Sequence, residues 1–396
     1  MTVRSAPAAV TYQWTETPDD LGQARDTADP LGLRSAAVRV ARRLVPVLTQ
    51  SSFRVRGFAL TCFGLDAAQR APALGPAGVD KAFLRFERLV VYAQCGHYRD
   101  EGKLPEYVRY AGTRRAYARL RSSTDLDLSS ALLLHDDLSG GLWGAYRRPA
   151  LHLGLLRGKW NRTNPAATGV APLGVSLANT LETTAVANPT SVRKLARDPT
   201  RSTTPEQAAT LIPADTGRAR PKESAVLSRA FGAYDDRCEN EGRGRPFASL
   251  RAGFDRVDKM LTLDNLNASL LTEGQAQAFG DAVALADLMV ALEVPYRRWV
   301  TGRNAALAKT VARRAAWARV RAMGEPELVE LHDRLTADPS LEELHRHQDR
   351  IAAARGREPW VLGDPRLGRE KTLPFDFTLG TVSRLFTEGV DPDSDA

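Results

Sequence analysis

The sequence predicts a mainly α-helical, multi-domain protein. Apolar residues recur at spacings of three and four in segment after segment, the period of a helix with one buried face. The 396 residues are 43% hydrophobic, enough for two or three separate cores. Over residues 186–224 the periodicity gives way to Thr, Pro, Ala and Arg, which reads as a linker or extended loop. That stretch separates a helical domain at 28–185 from a second at 225–390.

Residues 1–27 read as a flexible arm with one short strand near Val10–Trp14. Leu33, Ala37, Val40, Leu44 and Val47 form one stripe and predict a helix over Leu33–Leu48, bent or ended by Pro46. Thr49–Phe63 is apolar throughout and fits either a helix or a buried strand. Phe83, Phe86, Leu89 and Val90 place a helix over Lys81–Gln94. Tyr107–Leu120 reads as a helix interrupted near Gly112, and Asp125–Asp137 as a helix capped by Thr124 or Asp125. One short helix is expected inside the linker, at Pro205–Leu211. Leu261–Leu292 reads as two helices divided near Gly274, with a kink or boundary at Pro295. A long basic helix is expected over Trp299–Met323, then helices at Leu328–Leu335 and Leu341–Ala354, the last capped by Ser340. Residues 391–396 read as a frayed acidic tail.

Formal net charge is +8, and only eight of the 55 basic residues are lysine. A GC-rich genome explains the arginine excess, whereas a polyanionic partner would select the sign of the charge. The cysteines, Cys62, Cys95 and Cys238, are odd in number and far apart, without a CxxC, so neither a disulfide framework nor a zinc knuckle is expected. The N-terminus lacks the apolar region of a secretory signal, and no stretch approaches a bilayer span. A reducing, bacterial-type cytoplasm is the expected location.

The segment 125–185 carries the most informative pattern. A basic, aromatic helix runs from Gly141 to Leu-Gly-Leu-Leu at 153–156, a polar hairpin-like stretch follows, and Pro172-Leu-Gly174 opens another helix. That order is the second half of a winged helix, whose recognition helix enters the major groove while its hairpin touches the backbone. Leu151, Leu155 and Leu156 would face inward, and Arg147, Arg148, Arg157 and Lys159 outward, with Arg162 in the wing. Two features depart from the pattern: Pro149 lies inside the helix, and the wing lacks β-branched alternation. The expected nucleic-acid-binding set adds Arg303, Arg313 and Arg314 of the long basic helix, and Arg114 and Arg115 of a cluster interleaved with Tyr110 and Tyr117.

Catalytic signatures are weak. Gly154–Lys159 has three residues between its glycines and Trp160 after the lysine, which rejects a phosphate loop. Asp235, Asp236, Glu239 and Glu241 cluster as a metal-dependent nuclease would require, yet such clusters are more often solvated turns. His345 and His347 point about 200° apart on a helix and read as surface residues. Cys95 reads as a buried thiol rather than a nucleophile paired with His97. No cofactor and no metal are expected.

Asp29-Pro-Leu-Gly32, Pro46-Val-Leu-Thr49, Arg54-Val-Arg56, Gly141-Leu-Trp-Gly144-Ala-Tyr146 and Leu153-Gly154-Leu155 resemble segments of bacterial proteins encoded near phage-defence and DNA-processing ATPase genes. The resemblance covers the first 180 residues. It implies a non-catalytic subunit of a multi-protein defence complex. The resulting expectation is an accessory subunit that binds double-stranded DNA and recruits an ATPase or nuclease partner. A protein–protein scaffold without DNA contact and a metal-dependent nuclease are the alternatives.

Overall fold

The computed structural model describes residues 31–48, 52–70, 76–101, 104–105, 112–122, 141–158, 167–184, 188–198, 203–214, 219–257, 260–354 and 374–394. It is mainly helical. Fifteen α-helices and one two-stranded sheet are found among these residues. The helix expected over Asp125–Asp137, the strand near Val10, Lys159 and Arg162 lie outside the described residues.

Helix α1 (Leu33–Leu44) buries Leu33, Ala36, Ala37, Val40, Ala41 and Leu44, and its exposed side carries Arg39, Arg42 and Arg43. It stops short of Pro46 because a residue preceding proline is pushed out of the α region; Val45 is extended at φ −120°. Helix α2 (Val55–Gln69) resolves the ambiguous apolar segment as a helix. Thirteen of its residues are buried, so it has almost no solvent face. Around it pack α3 (Pro76–His97), α5 (Leu142–His152), α6 (Pro172–Thr184), α7 (Pro189–Arg197) and α9 (Pro221–Asn240). Helix α4 (Thr113–Ser122) packs on α3.

The stretch expected to be a linker contains α7 and α8 (Pro205–Leu211), both docked on α3. Val192, Leu195, Ala196, Ala208 and Ile212 are buried there. Short helices with few apolar residues leave little periodicity, so the stretch looks unstructured when read alone. The caps were present: Asn188 accepts the Ser191 amide at 3.0 Å, and Thr204 forms a capping box with Gln207.

Helix α11 (Glu273–Val300) overturns the expected division at Gly274, which lies in its first turn beyond the capping box of Thr272 and Gln275. It also runs through Pro295. The expected long helix over Trp299–Met323 is absent. Gly302, at φ +77°, ends α11 with Arg303 N donating to Arg298 O at 2.8 Å and Gly302 N to Trp299 O at 2.9 Å, a Schellman closure. A loop and a 3-10 turn (Val311–Arg313) lead to the short α12 (Ala316–Ala322). Helices α13 (Pro326–Ala337) and α14 (Leu341–Ala354) follow, and Ser340 accepts the Glu343 amide at 3.1 Å as expected. Helix α10 (Pro246–Phe254) and the final α15 (Pro374–Thr387) complete the core, which runs without a break from Leu31 to Val390. The first four residues of the expected frayed tail are held: Asp391 N donates to Ser228 Oγ at 2.8 Å, and Asp393 pairs with Arg245 at 2.7 Å. Among the described residues no helix is long and apolar enough to cross a membrane.

The two halves of the chain are joined at the first turn of α2. Arg56 is wholly buried there and pairs with the equally buried Glu223 of α9, Nε to Oε2, at 3.1 Å. A buried charge stripped of its partner is strongly destabilising. Glu223→Ala is therefore expected to lower the unfolding free energy by about 3–5 kcal/mol, measured by urea denaturation. A loss below about 1 kcal/mol, the range of an exposed pair, would show that the junction does not depend on it.

Candidate nucleic-acid interface

Helix α5 and the strands after it occupy the expected place of the recognition helix and wing. The helix ends in a second Schellman closure: Gly154, at φ +71°, donates to Leu151 O at 3.2 Å, and Leu155 N to Ala150 O at 2.9 Å. The chain then forms β1 (Leu156–Gly158), antiparallel to β2 (Thr168–Val170), with Arg157 opposite Gly169. Ala171 N donates to Leu155 O at 3.0 Å, closing the hairpin onto the start of α6. Gly174 makes that close approach feasible, because a Cβ there would lie 2.0 Å from the Leu155 carbonyl oxygen. The hairpin forms without β-branched alternation, held at its base by the Ala171–Leu155 main-chain bond.

Helix α5 carries Pro149 in its interior without ending. Its inner face buries Leu142, Trp143, Tyr146, Arg147, Pro149 and Ala150. Arg147, expected to face outward, instead lies inside with its guanidinium 5.5 Å from the Trp143 ring centroid. The cause is position: Arg147 lies one turn from Trp143, on the face packed against α2. Leu155 and Leu156 are buried as expected, whereas Leu151 is half-buried.

The exposed end of α5 offers Arg148 and His152. Arg42, from the last turn of α1, has its pKa pulled below the usual guanidinium value, first by desolvation and then by the Arg148 charge. Arg237 of α9 donates to the His152 carbonyl at 2.7 Å, the natural place for a cation at a helix C-terminus. The His152 imidazole is held below its ordinary pKa by desolvation, then by Arg148 and Arg237. Three cationic side chains from three helices thus converge on one helix end. No carboxylate pairs with Arg42 or Arg148 among the described residues. Across the hairpin, Arg157 is exposed on β1. Beyond it Arg70, Arg193 and Arg197 gather around Asp66, a second surplus of positive charge.

Among the described residues, Arg115, Arg303, Arg313 and Arg314 do not join this cluster. Arg115 is half-buried on α4, and Arg114 is also on that helix. Arg121 lies over the Tyr117 ring at 5.9 Å, and Arg119 donates to the Tyr92 hydroxyl at 3.3 Å. Arg303 and Arg313 are exposed in the loop and 3-10 turn after α11. Arg314 is paired with Asp287, Nε to Oδ2, at 2.7 Å, so it tethers α12's lead-in to α11.

The acidic and histidine motifs have structural roles. The buried Asp235 carboxylate accepts the Phe247 and Ala248 amides at 3.0 and 2.7 Å, capping α10, and burial pushes its pKa up to about 6 against those donors. Glu241 pairs with Arg243, and Asp236 lies 3.7 Å from Arg245. Among the described residues no group of three or more His, Cys, Asp or Glu is arranged to hold a metal ion. His347, expected at the surface, is wholly buried, and desolvation depresses its pKa. It falls on the stripe Leu341, Leu344, Gln348, Ile351, a signal visible in the spacing. His345 is half-buried and shares a 2.9 Å hydrogen bond with the Tyr296 hydroxyl. Cys95 is buried as expected, Cys62 is buried too, and desolvation raises both thiols to about 12.

Comparison with protein-family models, curated proteins and solved structures finds no match to this chain.

Because the Arg148 charge helps to depress it, the His152 pKa will rise in Arg148→Ala. A two-dimensional NMR titration of the ring reads this directly. An unchanged midpoint would place the Arg148 charge elsewhere.

Proposed function

We propose that this protein is a non-catalytic subunit that binds double-stranded DNA through its phosphate backbone. The surface proposed for it is the end of α5 with Arg148 and His152, flanked by Arg42 and Arg237, with Arg157 on the adjoining hairpin. The observation that carries the reading is the convergence of Arg42 and Arg148 without an acid beside them. Like charges held together raise the free energy of the unliganded surface, and a phosphate between them would relieve it. The helix–hairpin–helix order of α5, β1–β2 and α6 supports a winged-helix-like module. The burial of α5 argues that it lies along the backbone rather than deep in the major groove, so the contact would be largely independent of base sequence. In the complex that the sequence resemblance implies, an ATPase or nuclease partner would supply the chemistry.

One feature favours the scaffold reading. Val283 and Val290 of α11 are 45% and 56% exposed, two turns apart on one helix face. Such a stripe suits a partner helix.

Duplex binding followed by fluorescence anisotropy across a salt series separates the readings. For the wild type, affinity should fall as salt rises. For Arg42→Ala/Arg148→Ala, affinity should be weaker, and the slope of log K against log salt shallower by about 2, near 0.9 per lost phosphate contact. Both side chains are exposed, so the variant should fold. No duplex binding at low salt, or an unaltered slope in the variant, would overturn the DNA reading.

A further inference from the structure

A second cationic site lies one helix face away from the Arg42–Arg148 cluster. A cleft of about 530 Å³ opens between α1, α11 and α12, within the range of small-molecule sites, roughly 300–1,000 Å³. Arg39 and Arg43 of α1 and Arg319 of α12 line it, with Val40, Ala322 and Met323 as its apolar part.

The arginines are held in place. Asp281 of α11 is nearly buried, and its two oxygens are divided between guanidiniums: Oδ2 accepts from Arg43 at 2.8 Å and Oδ1 from Arg319 at 2.6 Å. Arg319 also donates to the Gln277 carbonyl at 2.8 Å. It lies flat on α11 because residue 280 is glycine; a Cβ there would meet the Arg319 Cζ at 2.5 Å. Arg39 is held by Glu325, Nε to Oε1, at 2.9 Å. Three guanidiniums face two carboxylates, so one positive charge is left over. A simple latch between helices would balance its charges, and exposed pairs give little stability in any case. Arg39, Arg43 and Arg319 are each about half exposed, at 53%, 49% and 44% of their side-chain surface. Each keeps N–H groups outside these pairs.

We propose that this cleft binds a small phosphate-bearing molecule. The phosphate would take the unused N–H groups of Arg43, Arg319 and Arg39, the planar donors best matched to an oxyanion. The organic part would lie on Ala322 and Met323. The site uses none of the residues assigned to DNA, so it stands or falls separately from that reading.

The test is isothermal titration of the full chain at constant ionic strength with AMP, inorganic phosphate and adenosine. Saturable one-to-one binding of AMP is expected, with phosphate weaker and adenosine silent. Ala322→Glu places a carboxylate at the cleft without removing any of its arginines or acids, and should weaken AMP binding by roughly tenfold or more. Arg43→Gln should weaken it too. Failure of both AMP and phosphate to bind at millimolar concentration overturns the proposal. So does adenosine binding as tightly as AMP, or an affinity unchanged in Ala322→Glu. Duplex affinity in the salt series is read independently, so either proposal can fail alone.

Discussion

The structure depends on α2, a helix buried on nearly every side. A helix without a solvent face must satisfy every polar group it carries within the protein. Arg56, in its first turn, is the hardest to satisfy, and Glu223 reaches it from a segment 167 residues further along the chain. The same turn receives the Glu388 carboxylate, which accepts the Val55 amide at 2.7 Å and contacts Arg54 at 3.2 Å. Desolvation raises the Glu388 pKa, with those donors pulling against it. The start of α2 is thus where the N-terminal helices, α9 and the end of the chain are locked together, and the unbroken core follows from that junction.

This junction also bears on the surface chemistry. Once the halves share one core, many arginines find acids, across helices or along one. Glu293 takes Arg34 of α1 and Arg297 of its own helix, Glu343 takes Arg334 of α13 and Arg346 of its own helix, and Asp287 takes Arg314. The net charge of +8 therefore says little about where a polyanion would sit. What matters is where cations converge faster than acids do. The end of α5 and the cleft beside α12 are two such places, and in both the surplus arises from helices distant in sequence.

Much of the fold was legible. The apolar stripe of α1, the short α8, the Ser340 cap of α14, and the helix–hairpin–helix order after Gly141 all followed from spacing and turn chemistry. The misreadings have specific causes. Gly302 was read as part of a helix although it is the stop signal, since apolar periodicity continues by chance beyond it. Pro295 and Gly274 were read as breaks, but a strong capping box at Thr272 and the packing of α11 against α1 outweigh both. His347 was assigned to the surface by its chemistry when its position on the stripe placed it inside.

The candidate site was only partly legible. By itself the sequence determined the helical class, the buried Cys95 thiol, and the basic end of α5 at Arg148, because local periodicity and residue type decide these. Tertiary structure alone decided that Arg147 turns inward onto Trp143, that Arg42 and Arg237 join Arg148, and that Arg314 and Arg319 are tied to α11. The physical reason is range. Helix formation and capping depend on neighbours within a turn or two, whereas the sign and freedom of a charge depend on whichever groups the packed helices bring within a few ångströms.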